Sequence, residues 1–284
     1  MQPRRLSILG MGLLGGSIGL AAKKLINGCK IAGYTHRAST LEAARALGVL
    51  DEPYAEPGPA VRGADLVILC TPVLSLEPLL DEIAPNLADG ATVTDVGSTK
   101  RSVVEAAQSL LRTGVHFVGS HPMAGSEKRG VQFARAELFD GAVCITTPTS
   151  STDSAALDKV EGFWRLLGMR TTRLSPQDHD RLLADVSHLP HAVAAALVAM
   201  QDPMALKLCG KGFLDLTRIA DGDAGLWRDI LLDNRDNAVL SIQRLIEQLR
   251  HLEGLLKPGH QEELYAWLDG AARRRQALLG DEAH

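Results

Sequence analysis

An α/β protein is what this sequence predicts, with a mostly parallel sheet at the N-terminal end and an all-helical segment after it. Three observations carry the prediction. Short apolar runs alternate with helical patterns up to residue 174, which implies right-handed crossovers between parallel strands. A glycine-spaced turn directly follows the first of those runs. From Ser175-Pro176 to His284 the β-branched runs disappear and helical spacing takes over. The boundary is therefore set at 174, giving a dinucleotide-binding portion at 1–174 and a helical portion at 175–284.

The elements follow in order. Strands are expected at Arg5–Leu9, Cys29–Tyr34, Asp65–Cys70, Thr92–Val96, His116–Gly119 and Val143–Thr146, with an edge strand at Arg170–Leu174. Asp65–Cys70 is apolar after its aspartate, as a strand buried on both faces requires. Helices are expected from the glycine turn to Ile26, then at Thr40–Leu47, Leu76–Ala84, Arg101–Arg112 and Lys159–Leu167. The C-terminal portion shows helical spacing at Asp180–Met200, Asp229–Gly254 and Glu262–Leu279, punctuated by Pro203 and Lys257-Pro-Gly259.

Composition narrows the function classes. The chain has 284 residues, 45% hydrophobic and 23% charged, with a net charge of −4. That excludes disorder and gives no chain-wide basic field for nucleic acid or an anionic membrane. Cys29, Cys70, Cys144 and Cys209 lie far apart without a CxxC pair, which fits reduced thiols in the cytoplasm. Leu6–Ala22 is uncharged and follows two arginines, as in a secretory signal, but five glycines interrupt it and Lys23-Lys24 ends it. No other run is expected to approach the ~18 uncharged residues of a membrane span.

Gly10-Met-Gly12-Leu13-Leu14-Gly15 follows a strand and opens a helix. The first glycine permits the tight turn, the second lets backbone approach a pyrophosphate, and the third lets helix and strand pack closely. This is a Rossmann-type dinucleotide site, with Thr71-Pro72 at the end of the third predicted strand completing the cofactor-binding set. An NAD enzyme places an acid at the end of the second strand to hold the ribose hydroxyls. Here that position reads Thr35-His36-Arg37. Without the acid, and with Arg37 able to pair with a 2′-phosphate, NADP is favoured over NAD.

Asp95-Val-Gly-Ser98-Thr-Lys100 ends a strand on the carboxyl edge, where ligands bind in such folds. Gly119-Ser-His121-Pro-Met-Ala-Gly-Ser-Glu127-Lys-Arg-Gly130 is polar and long enough to be an active-site loop. An unperturbed imidazole pKa near 6.5 suits His121 to general-base work. In the helical portion, Ser187-His188-Leu-Pro-His191 sets two histidines beside Pro190, which kinks or restarts a helix. Arg218, beside Leu216, Ile219 and Ala220, is expected to be partly buried and to meet a carboxylate. Leu226-Trp227-Arg228-Asp229 and Asn234-Arg235 form a further cluster, in which Arg228, Asp229 and Arg235 read equally well as a surface ion-pair helix.

Together these motifs resemble the prephenate/arogenate dehydrogenase family of tyrosine biosynthesis, from about residue 5 to about residue 240. His-Pro-Met-Ala-Gly and Ser-His-Leu-Pro-His are its specific stretches. The resemblance implies a C-terminal helical domain that forms a homodimer, with the active site between the two domains. It implies that His121 is the base with Ser98 as its hydrogen-bonding partner. Arg218 would hold a substrate carboxylate, His191, His188 and Trp227 would line the substrate site, and Glu127 would gate it. The reaction implied is oxidative decarboxylation of prephenate or arogenate, with NADP or NAD as hydride acceptor and no metal. Within the family a second histidine in the Ser-His-Leu-Pro-His stretch goes with prephenate, and His191 is present. A fused chorismate mutase segment before residue 5 and a regulatory domain after residue 284 are not expected. A 3-hydroxyacid or imine reductase of the same plan, a non-catalytic NADP sensor, and a metal hydrolase using His121, His179, His188 and His191 are the competing readings.

Overall fold

The computed structural model describes residues 2–126 and 128–281. The first apolar run becomes β1 (Arg5–Leu9), and the glycine turn leads into α1 (Leu13–Leu25). Then follow β2 (Lys30–Tyr34), α2 (Ala38–Ala46), β3 (Glu52–Tyr54), α3 (Pro57–Val61), β4 (Leu66–Leu69) and α4 (Leu76–Ile83). The sheet portion ends with β5 (Thr92–Asp95), α5 (Arg101–Leu110), β6 (His116–Pro122), β7 (Val143–Thr147), α6 (Ser154–Leu166) and β8 (Arg170–Arg173). The eight strands form one sheet in the order β3-β2-β1-β4-β5-β6-β7-β8. Neighbours run parallel except β6 and β7.

Because side chains alternate along each strand, the sheet carries a core on either face. Leu6, Ile8, Leu66 and Ile68 pack with Ile18 of α1 and Trp164 of α6. Leu9, Val67, Leu69 and Val93 pack with Leu80 of α4 and Val104 of α5. The uncharged run Leu6–Ala22 is thus shared between a central strand and a buried helix face.

β3 was not expected. It is three residues long and contains Pro53, and a proline without an N–H is tolerated at a sheet edge. β6 also runs further than expected, because antiparallel pairing with β7 carries its ladder to His121↔Ile145 and Pro122↔Cys144. His121 therefore stands on a strand, and the polar loop begins after it.

The helical part comprises α7 (Pro176–Leu183), a π turn at Ala184–His188, α8 (Leu189–Ala199), α9 (Pro203–Leu206) and α10 (Lys211–Thr217). A 3₁₀ turn at Arg218–Asp221 leads to α11 (Ala224–Asp233), α12 (Arg235–Leu255) and α13 (Gln261–Asp281). The π turn lies immediately before Pro190, where a regular helix would lose a hydrogen bond and meet the ring. The long helix expected from Asp229 is broken at Asn234, whose side-chain amide turns inward to the Asp180 carbonyl at 2.7 Å. Contrary to expectation, the stretch Pro176–Ala199 is long and apolar enough to cross a membrane by length and composition alone. Its acidic and basic residues crowd its first turns, leaving Asp185 as the only formal charge in Leu182–Ala199.

One compact unit runs to Arg235 and a second begins at Asp236. In the first, Ile230 of α11 joins the core beneath α4 and α5. The second consists of α12 and α13 and exposes Leu240, Leu249, Tyr265 and Leu268.

Candidate active site

Strand order reverses between β1 and β4, and the carboxyl ends of those two strands flank the crevice where such folds take ligands. Gly10 has φ 111°, and a Cβ there would lie 2.5 Å from the Cys70 carbonyl oxygen. A Cβ on Gly15 would lie 1.9 Å from the Gly10 carbonyl oxygen. Only glycine fits at either position. Gly12, by contrast, faces open space at the N-terminus of α1, with Leu13 and Leu14 as the first helical residues. Thr71, beside Pro72 at the end of β4, has a buried hydroxyl without a hydrogen-bond partner. A cradle that a Cβ would fill, free helix N–H groups and an orphaned hydroxyl fit a bound pyrophosphate. At the end of β2, Thr35 is buried, while His36 and Arg37 are exposed.

β5 and β6 build the neighbouring part of the edge. Asp95 and Lys100, both 0% exposed, form an ion pair behind the site. Lys100 also donates to the Ser120 carbonyl at 3.0 Å, and Asp95 accepts from the backbone N–H groups of Gly97 and Ser120. Every charge in this knot is matched. Lys100→Met leaves the Asp95 carboxylate buried without its cation, and is expected to cost about 3–5 kcal/mol of stability. The midpoint and slope of urea unfolding measure it.

His121 is buried at the end of β6, and its Nδ1 lies 2.9 Å from Nε2 of His179 on α7. His179 Nδ1 lies in turn 2.8 Å from Asp180 Oδ1. A carboxylate only accepts, so His179 Nδ1 carries a proton and its Nε2 is a lone pair. That lone pair takes a hydrogen bond from His121 Nδ1–H, and the network assigns the lone pair of His121 to Nε2. Asp180 also accepts from the backbone N–H of Lys100 (2.7 Å) and Arg101 (2.9 Å) at the start of α5. Burial raises the Asp180 carboxyl, but the hydrogen bonds from His179, Arg101 and Lys100 outweigh it and hold it below the usual range. Burial, then His179, Lys100 and His188, hold the His121 imidazole well below its ordinary value. It is therefore neutral at pH 7.

The expected partner Ser98 sits on the bend after β5, and no hydrogen bond joins it to His121 among the described residues. His179 takes that place. Sequence reasoning had named His179 only as a possible metal ligand, and its adjacency to Asp180 was the available signal. Among the described residues no group of three or more His, Cys, Asp or Glu side chains is placed to hold a metal ion.

The π turn and α8 set His188 and His191 differently. His188 is wholly buried, accepts at Nδ1 from Asn234 at 3.2 Å, and burial pushes its imidazole down to about 4. His191 stacks on Trp227 at 3.6 Å between ring centroids and 9° between planes, with its buried Nδ1 unpartnered. A Cβ on Gly222 would lie 2.5 Å from Trp227 Nε1 and 3.1 Å from His191 Cε1. The stack thus depends on a glycine that sequence reasoning passed over. Beside it, Arg129 from the loop after β6 pairs with Asp223 at 2.5 Å.

Arg218 departs from expectation. It is exposed on the 3₁₀ turn after α10, and Leu216 beside it is 62% exposed. Leu216 at the end of α10 and Ile219 on the turn are both exposed, so they do not enclose the guanidinium. Glu127 lies outside the described residues.

Comparison with known proteins bears on both parts of the chain. The family model described as prephenate dehydrogenase, nucleotide-binding domain, matches residues 18–173, and that described as prephenate dehydrogenase, dimerization domain, matches residues 175–270. Prephenate dehydrogenase of Bacillus subtilis is 35% identical over 278 residues, 95% of this chain and 75% of the relative. The crystal structure of Aquifex aeolicus prephenate dehydrogenase, in complex with hydroxyphenyl propionate and NAD+, matches with TM-score 0.91 and 35% identity over 98% of both chains. Synechocystis arogenate dehydrogenase matches with TM-score 0.83 and 29% identity, over 96% of this chain and 99% of that one.

Proposed function

Because this chain belongs to the prephenate dehydrogenase family, we propose that it converts prephenate to 4-hydroxyphenylpyruvate by oxidative decarboxylation, with NAD(P)+ as hydride acceptor. The observation that carries the reading is the hydrogen-bond chain from Asp180 through His179, which leaves the His121 Nε2 lone pair free to accept a proton. The bound dinucleotide supplies hydride acceptance at its nicotinamide. Gly10, Gly12, Leu13, Leu14 and Gly15 would hold its phosphates at the β1–β4 crevice, with Thr71 and Pro72 beside them. His121 Nε2 takes the proton of the substrate's ring hydroxyl as hydride leaves the same carbon. The ring carboxylate departs as carbon dioxide and the ring becomes aromatic. No group is needed to activate that departure, so positioning and proton removal suffice.

The remaining roles are those the family resemblance implies. Ser98, on the bend after β5, would meet the same hydroxyl, and His191, held flat by Trp227, would line the substrate site. His188, tied to Asn234, orients this helix from behind. By the same resemblance Arg218 would meet a substrate carboxylate and Glu127 would gate the pocket. Arogenate is the second reading, and His191 favours prephenate over it. Assays of both substrates with both cofactors decide the matter. Higher catalytic efficiency with arogenate overturns the substrate assignment.

NADP+ is the cofactor we favour, because the end of β2 offers Arg37 and no acid. Arg37→Ala is expected to weaken NADP+ binding about 10- to 100-fold, the worth of a charge-assisted hydrogen bond. NAD+ binding should stay nearly unchanged in the same titration. Higher wild-type efficiency with NAD+ than with NADP+ would show that this strand end has been misread.

The helical portion, 175–284, serves as the dimerisation surface in this reading, supported by the dimerization-domain match and by exposed Leu240, Leu249 and Leu268. The four free cysteines support a reducing, cytoplasmic setting.

A further inference from the structure

A proton delivered to His121 Nε2 arrives where a new positive charge is poorly tolerated. His121 is buried, and the fully buried Lys100 ammonium already stands nearby with its charge matched by Asp95. On the other side of the ring the setting is different. His121 Nδ1–H points at His179 Nε2, and His179 Nδ1–H points at a carboxylate. Asp180 is a buried anion, partnered by His179 and by the two backbone N–H groups at the start of α5. Its charge has no full cation to match it in that hydrogen-bond set. Burial depresses both imidazoles, but Asp180 acts against the depression at His179 and is not among the groups acting on His121.

We propose that His179 and Asp180 form a proton-holding pair that works through His121. As His121 Nε2 gains the hydroxyl proton of the substrate, the N–H bond at His121 Nδ1 breaks and a new one forms at His179 Nε2. His121 changes from its Nδ1–H to its Nε2–H tautomer and stays neutral. The positive charge comes to rest on His179 against Asp180, and nothing is oxidised or reduced. Since His179 is 0% exposed, the proton leaves by the reverse path once product has gone, through His121 Nε2 to water. The groups facing this pair are Asp95 from the end of β5, Lys100 from the start of α5, Asp180 from α7 and His188 from the π turn. The inference rests on His121 being the base, and His179 is a positioning residue that acts through it.

His179→Gln separates holding a proton from holding a ring. Glutamine accepts from His121 Nδ1–H and donates to Asp180, yet takes up no proton. Expected are dinucleotide affinity and KM within about threefold of wild type and kcat lower by about 10²-fold, the low end for a positioned proton acceptor. The acid limb of the pH profile should move to lower pH, because the proton then has only His121 to occupy. Rates in mixtures of light and heavy water should bow for wild type, with two protons moving, and become linear in His179→Gln. A purely structural role would lower the plateau and leave limb and curvature alone. A His179→Gln enzyme within twofold of wild-type kcat, with His121→Asn inactive, overturns the relay and spares the base. A His121→Asn enzyme above one tenth of wild-type turnover overturns the base itself. Should His179→Gln fail to bind the dinucleotide, the wild-type curve alone decides, and a straight line there defeats the proposal.

Discussion

Replacing His121 by asparagine is expected to lower kcat about 10²–10⁴-fold while leaving dinucleotide affinity unchanged, the usual contribution of a positioned general base. The separation of effects follows from geometry. His121 stands at the end of β6, whereas the phosphate cradle is built at β1 and β4. Asparagine still donates one hydrogen bond to His179 but offers no basic nitrogen to the substrate. The pH dependence of the wild-type enzyme carries the sign of the site. Burial, His179, Lys100 and His188 all lower His121, so its basic form prevails at neutral pH. The rate therefore falls only on acidification, and the limb of kcat/KM lies well below the ordinary imidazole value of about 6.5. A limb at or above that value would mean that another group is the base.

Arg218→Ala is expected to raise KM for the substrate roughly 30-fold with little change in kcat. Prephenate is a dianion at neutral pH and the chain as a whole carries −4, so attraction has to be local. A guanidinium fork matches a carboxylate in a way that a point charge does not, and Arg218→Lys should fail to restore KM. A carboxylate that leaves as neutral carbon dioxide should not be gripped more tightly in the transition state than before it. The cost accordingly falls on binding. Because Arg218 is exposed, the loss sits at about 2 kcal/mol, the lower end for breaking a charged pair. Steady-state kinetics read it directly, and an unchanged KM for prephenate and arogenate alike would make this arginine a surface residue only.

Local pattern accounts for most of what was legible. Gly10 and Gly15 stand where the sequence pattern puts them, because the positive φ of Gly10 and the approach of Gly15 to the Gly10 carbonyl are demands of the turn itself, whereas Gly12 meets nothing within 4 Å. The strands of the inner sheet announced themselves through unbroken apolar runs such as Leu66–Leu69, which both faces of the sheet require. β3 did not, since three residues with Pro53 at an edge carry no such run. The end of β6 reads as loop in the sequence because its final pairs are made with β7, more than twenty residues away.

The site divides along the same line. The residue types at the sheet edge, the glycine turn, the acid-free end of β2 and the proline that interrupts the helix before His191 are properties of the sequence by itself. They determined the fold class, the binding of a dinucleotide and the family resemblance. Which nitrogen of His121 is basic was decided only by tertiary structure. That depends on His179 and Asp180 arriving 58 and 59 positions along the chain and on a hydrogen-bond direction that propagates from a carboxylate through two rings. The exposure of Arg218 was decided in the same way, because apolar neighbours in sequence bury a side chain only when the fold closes over them, and a short 3₁₀ turn at the surface does not.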